Sequence, residues 1–143
     1  FLHLRSKHRC TDYIPSPAHF LGLKPGEAVV IRVAGGSVRE VVRSLVICQR
    51  FTGAKEIALF RHTNCGGLTF TAESLRELIL SAHPGDKEVA EAVEKVDLSG
   101  VTDVEDALNA DLKFLHEHPL VLKDTLITGW IFDVETGKVR RSL

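Results

Sequence analysis

Methionine is absent from the 143 residues, and tryptophan and tyrosine occur once each. A chain that opens Phe1-Leu-His-Leu4 is not expected to start at a translational start, and a preceding leader would carry any targeting signal. Long apolar runs are missing too. The densest stretches, Ala28 to Val33 and Leu45 to Cys48, are far shorter than the roughly 20 residues a bilayer-spanning helix needs, so a soluble protein with no membrane partner is expected. The cytoplasm is the expected compartment, with organellar targeting left open by the leader. Neither sign of charge prevails: 18 Lys+Arg face 19 Asp+Glu for a net charge of -1, which supplies no global basic field for nucleic acid. Cysteine is scarce and odd in number, at positions 10, 48 and 65, in a chain that is 44% hydrophobic and needs no disulfide staples. Reduced thiols or metal ligands are the expectation. Internal repeats and low-complexity segments are lacking, so residues 1–143 read as one domain, with 1–9 as an arm or edge strand in which Arg5, Lys7 and Arg9 alternate.

What is present reads as alternating elements. Ala28-Val-Val-Ile-Arg-Val33, bounded by Pro25-Gly26 and Gly35-Gly36, predicts a buried core strand. Val38, Val41, Val42, Leu45, Val46 and Cys48 recur with helical spacing, predicting one helix to Phe51 that Gly53 stops. Glu56 to Arg61 predicts a second buried strand running straight into His62-Thr-Asn-Cys-Gly-Gly67. Thr71 caps a helix ended by Pro84-Gly85; Ser74 three positions on is not the Glu or Gln of a capping box, so none is expected. Lys87 to Val96 and Val104 to His116 predict two more helices, the latter capped by Thr102 or Asp103. Thr125 to Val134 predicts a third strand, and Thr136-Gly137 a turn into a short last one. The order implies an α/β fold, a mostly parallel β-sheet flanked by helices, with ligands beyond the carboxyl ends of the strands. A site therefore belongs after Phe60.

His62-x-x-Cys65 is by itself a weak signal, since a thiolate and an imidazole three apart chelate zinc but also co-occur by chance. With Cys10 the set becomes two thiolates and one imidazole, a zinc-type set that leaves a fourth position open, as catalytic sites do. Cys48, on an apolar helical stripe, reads as a small core residue instead. His3, His8, His19, His83, His116 and His118 read as solvated or helix-terminal residues, and Glu88, Glu91, Glu94 and Lys95 as a solvated helix face. Trp130 reads as core or interface, and Tyr13 stands beside Asp12.

From Cys10 to Val139 the chain resembles the β-class carbonic anhydrases, in particular their small, minor subgroup from microbes and fungi. The resemblance rests on an ordered set: Cys10-Thr-Asp12 for the family's Cys-x-Asp-x-Arg, the block Gly22 to Gly36 with Val33 in place of an Asn, Arg43-Ser44-Leu45, His62-Thr-Asn-Cys65-Gly66, and Gly129-Trp-Ile-Phe-Asp-Val-Glu-Thr-Gly-Lys138. It implies a homodimer, or a higher oligomer of dimers, whose Zn2+ is held by Cys10, His62 and Cys65 with water in the fourth position. That water, acidified by zinc, would attack CO2 to give bicarbonate and a proton, with a more alkaline optimum than a three-imidazole site because two thiolates donate more charge. Asp12 would orient the water, and backbone N–H groups of Gly66 and Gly67 would meet the oxyanion.

Two departures carry consequences. Ile14 stands where the family has the arginine that pairs with the aspartate, so Asp12 is expected to turn to the cation itself and close the fourth position, leaving a weak or self-inhibited site unless Arg32 or another cation replaces that arginine in space. Residues Leu4 to Arg9, mostly cationic, make a poor version of the apolar strand that the family places before its first cysteine. The alternatives are a catalytically silent zinc-binding or structural dimer, and a hydrolase of a CO2-like molecule such as carbon disulfide; a thiol redox protein is disfavoured because no Cys-x-x-Cys occurs.

Overall fold

The computed structural model describes residues 17–142, with side chains from His19 onward. Cys10, Asp12, Tyr13, Ile14, the 1–9 arm, His3 and His8 lie outside the described residues. Three strands form the sheet among the described residues, in the order β1 (Glu56–His62), β2 (Leu126–Phe132), β3 (Val139–Arg141). β1 and β2 run parallel in a register that sets Phe60 beside Trp130 and His62 beside Phe132. β3 returns antiparallel to β2 through the Asp133–Lys138 turn, closed by Asp133 N–H to the Lys138 carbonyl at 2.8 Å. The sheet is therefore mixed, with the longer pairing parallel, and the protein is α/β.

Helix α5 (Val104–Glu117) crosses β1 and β2 and carries the core. Its apolar residues at Leu108 and Leu115 are fully buried, as is Ile131 of β2, and Val38, Ile57 and Val121 complete a cluster with Leu115. The helix starts at Asp103, whose Oδ1 accepts from the N–H groups of Glu105 and Asp106 at 2.8 and 2.9 Å. It sits unusually close to β2 at Gly129. A Cβ there would lie 2.8 Å from Leu112 Cδ1 and 3.2 Å from Leu108 Cγ, so a hydrogen is all that the gap accepts. The remaining helices are α1 (Pro17–Phe20), α2 (Val42–Phe51), α3 (Ala72–Ala82) and α4 (Lys87–Val93), the last two packed on each other.

Four expectations require correction. Ala28 to Val33 is not a buried strand: Val29 is 64% exposed, Val30 and Ile31 are exposed, and the segment borders a groove of about 830 Å³ whose opposite wall is Ile57, Leu59 and Phe60. β-Branched residues favour strands because they fit a half-covered pleated surface, and across this groove the run makes no ladder with β1. The helix expected from Val38 begins as a 3-10 turn over Val38–Val41. That turn advances about 20° more per residue than an α-helix, about 80° in all, nearly one helical position. Accordingly Gln49, not Cys48, is buried on the inner stripe, where its amide donates to Thr125 Oγ1 at 2.7 Å and accepts from Leu122 N–H at 3.3 Å, while Cys48 is only half-buried. A capping box does form on α3: Ser74 N–H donates to Thr71 Oγ1 at 3.2 Å and Thr71 N–H to Ser74 Oγ at 2.9 Å, the serine hydroxyl serving where a longer acid was looked for. Finally α4 stops at Val93, because the N–H groups of Lys95 and Val96 turn to the carbonyls of Ala92 and Val93 in a tighter wind than the one predicted to Val96.

Candidate metal centre

β1 delivers His62 to the carboxyl end of the sheet, and the chain then reverses within three residues to present Cys65. The reversal depends on Asn64, the one non-glycine among the described residues with a left-handed backbone, at φ 53°. Asparagine tolerates that region better than most side chains. The turn is held on both sides: Thr63 N–H extends the sheet to the Phe132 carbonyl at 3.0 Å, Thr63 Oγ1 accepts from Val134 N–H at 3.0 Å, and Asn64 Nδ2 donates to Glu135 at 3.3 Å.

The His62 ring has a defined sense. Its Nδ1 lies 2.9 Å from the Thr63 carbonyl oxygen, which can only accept, so this contact favours the tautomer that leaves the lone pair on Nε2, the nitrogen a metal would take. Cys65 is buried, at 7% exposure. Both line one small cavity of about 30 Å³ with Gly35, Gly36, Phe60, Arg61, Val101 and Val104. An imidazole with its metal-facing nitrogen selected and a buried thiol on one wall fit a soft divalent cation such as zinc. These are two donors of the expected set of three; among the described residues no three His, Cys, Asp or Glu side chains gather as a ligand cluster.

After Cys65 the chain enters a short 3-10 turn, Gly66–Thr69, closed by Leu68 N–H to the Cys65 carbonyl at 3.0 Å and Thr69 Oγ1 to the Gly66 carbonyl at 2.7 Å. Gly67 is buried because Val101 leans on it: a Cβ at Gly67 would meet Val101 Cγ2 at 3.0 Å and Cys65 Sγ at 3.5 Å, and Val101 N–H donates to the Gly67 carbonyl at 2.7 Å. Gly100 is pressed still harder, since a Cβ there would collide with the Phe70 carbonyl oxygen. The loop before α5 thus clamps the glycine turn against the cavity.

Other sequence candidates fall elsewhere. His83 caps the end of α3; His116 lies in the last turn of α5; His118 closes that helix and accepts from Leu120 N–H at 3.2 Å. Trp130 donates to Thr128 Oγ1 at 3.0 Å and stacks on Phe60, a structural role. Arg32 is exposed on the segment bordering the groove. What sequence reading passed over is Arg61 and Asp111, which form an ion pair at 2.5 Å with side chains only 10% and 11% exposed. The signal was available. Arg61 is a charge within an apolar strand beside the histidine, and Asp111 interrupts the buried Leu108 to Leu115 stripe of α5.

The Asp133 turn that braces Thr63 also carries a titrating group. Its carboxyl is held below the usual aspartate range, first by the Thr136 backbone N–H and also by that of Glu135, the Thr136 hydroxyl and the Arg140 charge. Both N–H groups lie 2.9 Å from Oδ1. A depressed folded value means the stabilisation is present above the unfolded value of about 3.9 and is lost as pH falls through the folded one. Asp133→Asn is therefore expected to melt below the parent at about pH 7, with the gap closing as pH drops below about 4. Melting curves at both pH values check this; a gap of constant size would show that the charge is not its source.

Against known proteins, the family profile described as Carbonic anhydrase matches residues 9–139. Beta-carbonic anhydrase 1 of Mycobacterium tuberculosis is 39% identical over 144 aligned residues, covering 94% of this chain and 81% of that one. A carbon disulfide hydrolase of Acidianus sp. is 30% identical over 150 residues, covering 92% and 74%. The solved carbonic anhydrase from Glaciozyma antarctica superposes with a TM-score of 0.86 at 36% identity, covering 94% of this chain and 78% of that chain. With the family's His-x-x-Cys-Gly turn standing at the end of a parallel strand, and with matches along nearly its whole length, the chain belongs to the carbonic anhydrase family, β class.

Proposed function

We propose that the protein is a zinc-dependent enzyme of the β-carbonic-anhydrase type, interconverting CO2 with bicarbonate and a proton, and restrained by Ile14. The observation that carries this reading is the shared cavity wall of His62 and Cys65, with His62 Nε2 selected for the metal by the Thr63 carbonyl. When bound, zinc supplies a Lewis acid that makes water a nucleophile near neutral pH. His62 and Cys65 would hold it from the strand end, and Cys10 would be the third donor. The Gly66 and Gly67 N–H groups would meet a developing oxyanion, and Phe60, Val101 and Val104 give the cavity an apolar lining suited to a small apolar substrate. Asp12, without its arginine, would be drawn to the cation and would compete with water for it. A second copy of the chain is the proposed partner, supported by the exposed apolar side chains Val29, Val30, Ile31 and Phe51, the last 85% exposed. Among the described residues no helix is long and apolar enough to cross a membrane.

Elemental analysis of the purified protein is expected to give one zinc per chain. Stopped-flow CO2 hydration at about pH 7 and 9 is expected to be slow in the parent and at least about tenfold faster in Ile14→Arg, a gain equal to roughly 1.4 kcal/mol of barrier. Equal rates would remove the self-inhibition argument. Absence of zinc in both proteins would favour the structural homologue. The second reading, hydrolysis of carbon disulfide, is favoured by the same apolar cavity and by the relatives that carry that name. Hydrogen sulfide release from carbon disulfide, with no CO2 hydration, would select it.

A further inference from the structure

We infer that the Arg61–Asp111 pair is a positioning device for the metal centre, fixing the distance between the Gly35–Gly36 turn and the His62–Cys65 turn; this rests on the metal reading above. Arg61 immediately precedes His62, and one guanidinium nitrogen, Nη1, donates to the Gly35 carbonyl at 2.6 Å while the other, Nη2, donates to Asp111 Oδ2 at 2.5 Å. Three separate elements are thereby pinned by one planar group: the Gly35–Gly36 turn, the end of β1 and the middle of α5. The turn is otherwise held by its own Gly36 N–H to Val33 carbonyl bond at 3.2 Å and by packing beside the Gly66–Thr69 turn, so the guanidinium adds the fixed link to β1 and α5. Gly35 and Gly36 both have left-handed backbones, at φ 65° and 70°, and the Ala28 to Val33 segment that leads into them makes no ladder with β1.

All three pinned elements reach the cavity that holds His62 and Cys65: Gly35 and Gly36 form one wall, Arg61 another, and Val104 at the start of α5 a third. A rigid two-pronged fork suits this task better than a point charge on a flexible stem, because it fixes direction as well as distance. A buried ion pair is also a poor way to gain stability, since apolar replacements of similar volume often serve the fold as well or better. Its presence one residue from a ligand is better explained by placement. The third guanidinium nitrogen, Nε, is buried and finds no hydrogen-bond partner among the described residues, a costly arrangement for a group serving stability alone.

The test replaces both charges at once, Arg61→Met with Asp111→Leu, and compares the parent, the double variant and Arg61→Lys. Readouts are melting temperature, zinc affinity by competition with a chromophoric chelator, and the visible absorption spectrum of the cobalt-substituted protein. The double variant is expected to fold and melt near the parent, yet to bind zinc about 10- to 100-fold more weakly, as loss of supporting contacts around a ligand does, and to show a shifted cobalt spectrum. Arg61→Lys, keeping charge but not the fork, is expected to restore the melt more fully than the spectrum. A double variant with unchanged affinity and spectrum would overturn the inference. If the double variant fails to fold, Arg61→Lys decides by its spectrum alone: parent-like overturns, shifted supports. A parent that binds no zinc or cobalt refutes the metal reading itself, a result separable from either outcome in the variants.

Discussion

Replacing Cys65 by serine is expected to strip the protein of zinc and of hydration activity while leaving it folded. Serine is nearly isosteric and the site is buried at 7% exposure, so the packing against Gly67 and Val101 survives. The metal does not. Structural zinc sites bind with about 10–16 kcal/mol shared over four ligands, which puts one thiolate on the order of 3–4 kcal/mol, a loss of several hundredfold in affinity. A neutral hydroxyl near pH 7 returns little of it. Cys48→Ser supplies the comparison, since Cys48 is half-buried on α2 and lines the groove instead of the cavity. Zinc content and the unfolding curve of each variant check the expectation. If Cys65→Ser kept a full complement of zinc, Cys65 would not be a ligand, and the proposed centre would fall with it.

The largest expected loss of stability belongs to a single change, Asp111→Ala. It removes the counter-charge of an arginine whose side chain is only 10% exposed, leaving a largely buried guanidinium without its ion-pair partner. Breaking one side of such a pair costs about 3–5 kcal/mol, and for a chain of this size that lowers the melting temperature by roughly 10–15 °C. The prediction contrasts with the near-parent melt expected of the double apolar replacement, and the contrast is the diagnostic. Burial makes an orphaned charge expensive, whereas it makes an absent pair cheap. A loss under about 1 kcal/mol would mean that the guanidinium finds water and that the pair behaves like an exposed one.

The parts of the molecule legible in sequence are those set by local chemistry. His62 and Cys65 stand out because a strand-like run ends directly in them, and the helices at Ala72–Ala82 and Val104–Glu117 follow from apolar spacing and capping residues within one or two positions. The parallel pairing of β1 with β2 follows from the helices that separate them. What escaped is non-local. Ala28 to Val33 has the composition of a core strand, but composition does not say whether a neighbour closes upon it, and here a groove intervenes. The phase of α2 was displaced by one position because a 3-10 turn and an α-turn share the same residues and differ only in winding. Arg61 and Asp111 are 50 residues apart, so neither periodicity nor motif joins them until the fold does.

One contact near the start of the described chain has a consequence for metal capture. Phe20 stacks on Phe132 at 5.1 Å and meets Phe60 edge-on at 5.5 Å, and Phe132 is the residue beside His62 in the sheet register. Cys10 is ten residues before that anchor, so it can be no farther from Phe20 than about 35 Å at full extension. A thiol confined to a sphere of that radius would have a local concentration of at least about 10 mM toward a cation held, as proposed, by His62 and Cys65. Completion of the proposed centre is then an intramolecular closure. Dilution of the protein would not slow it, and an aromatic contact on the sheet would keep the proposed third donor within reach.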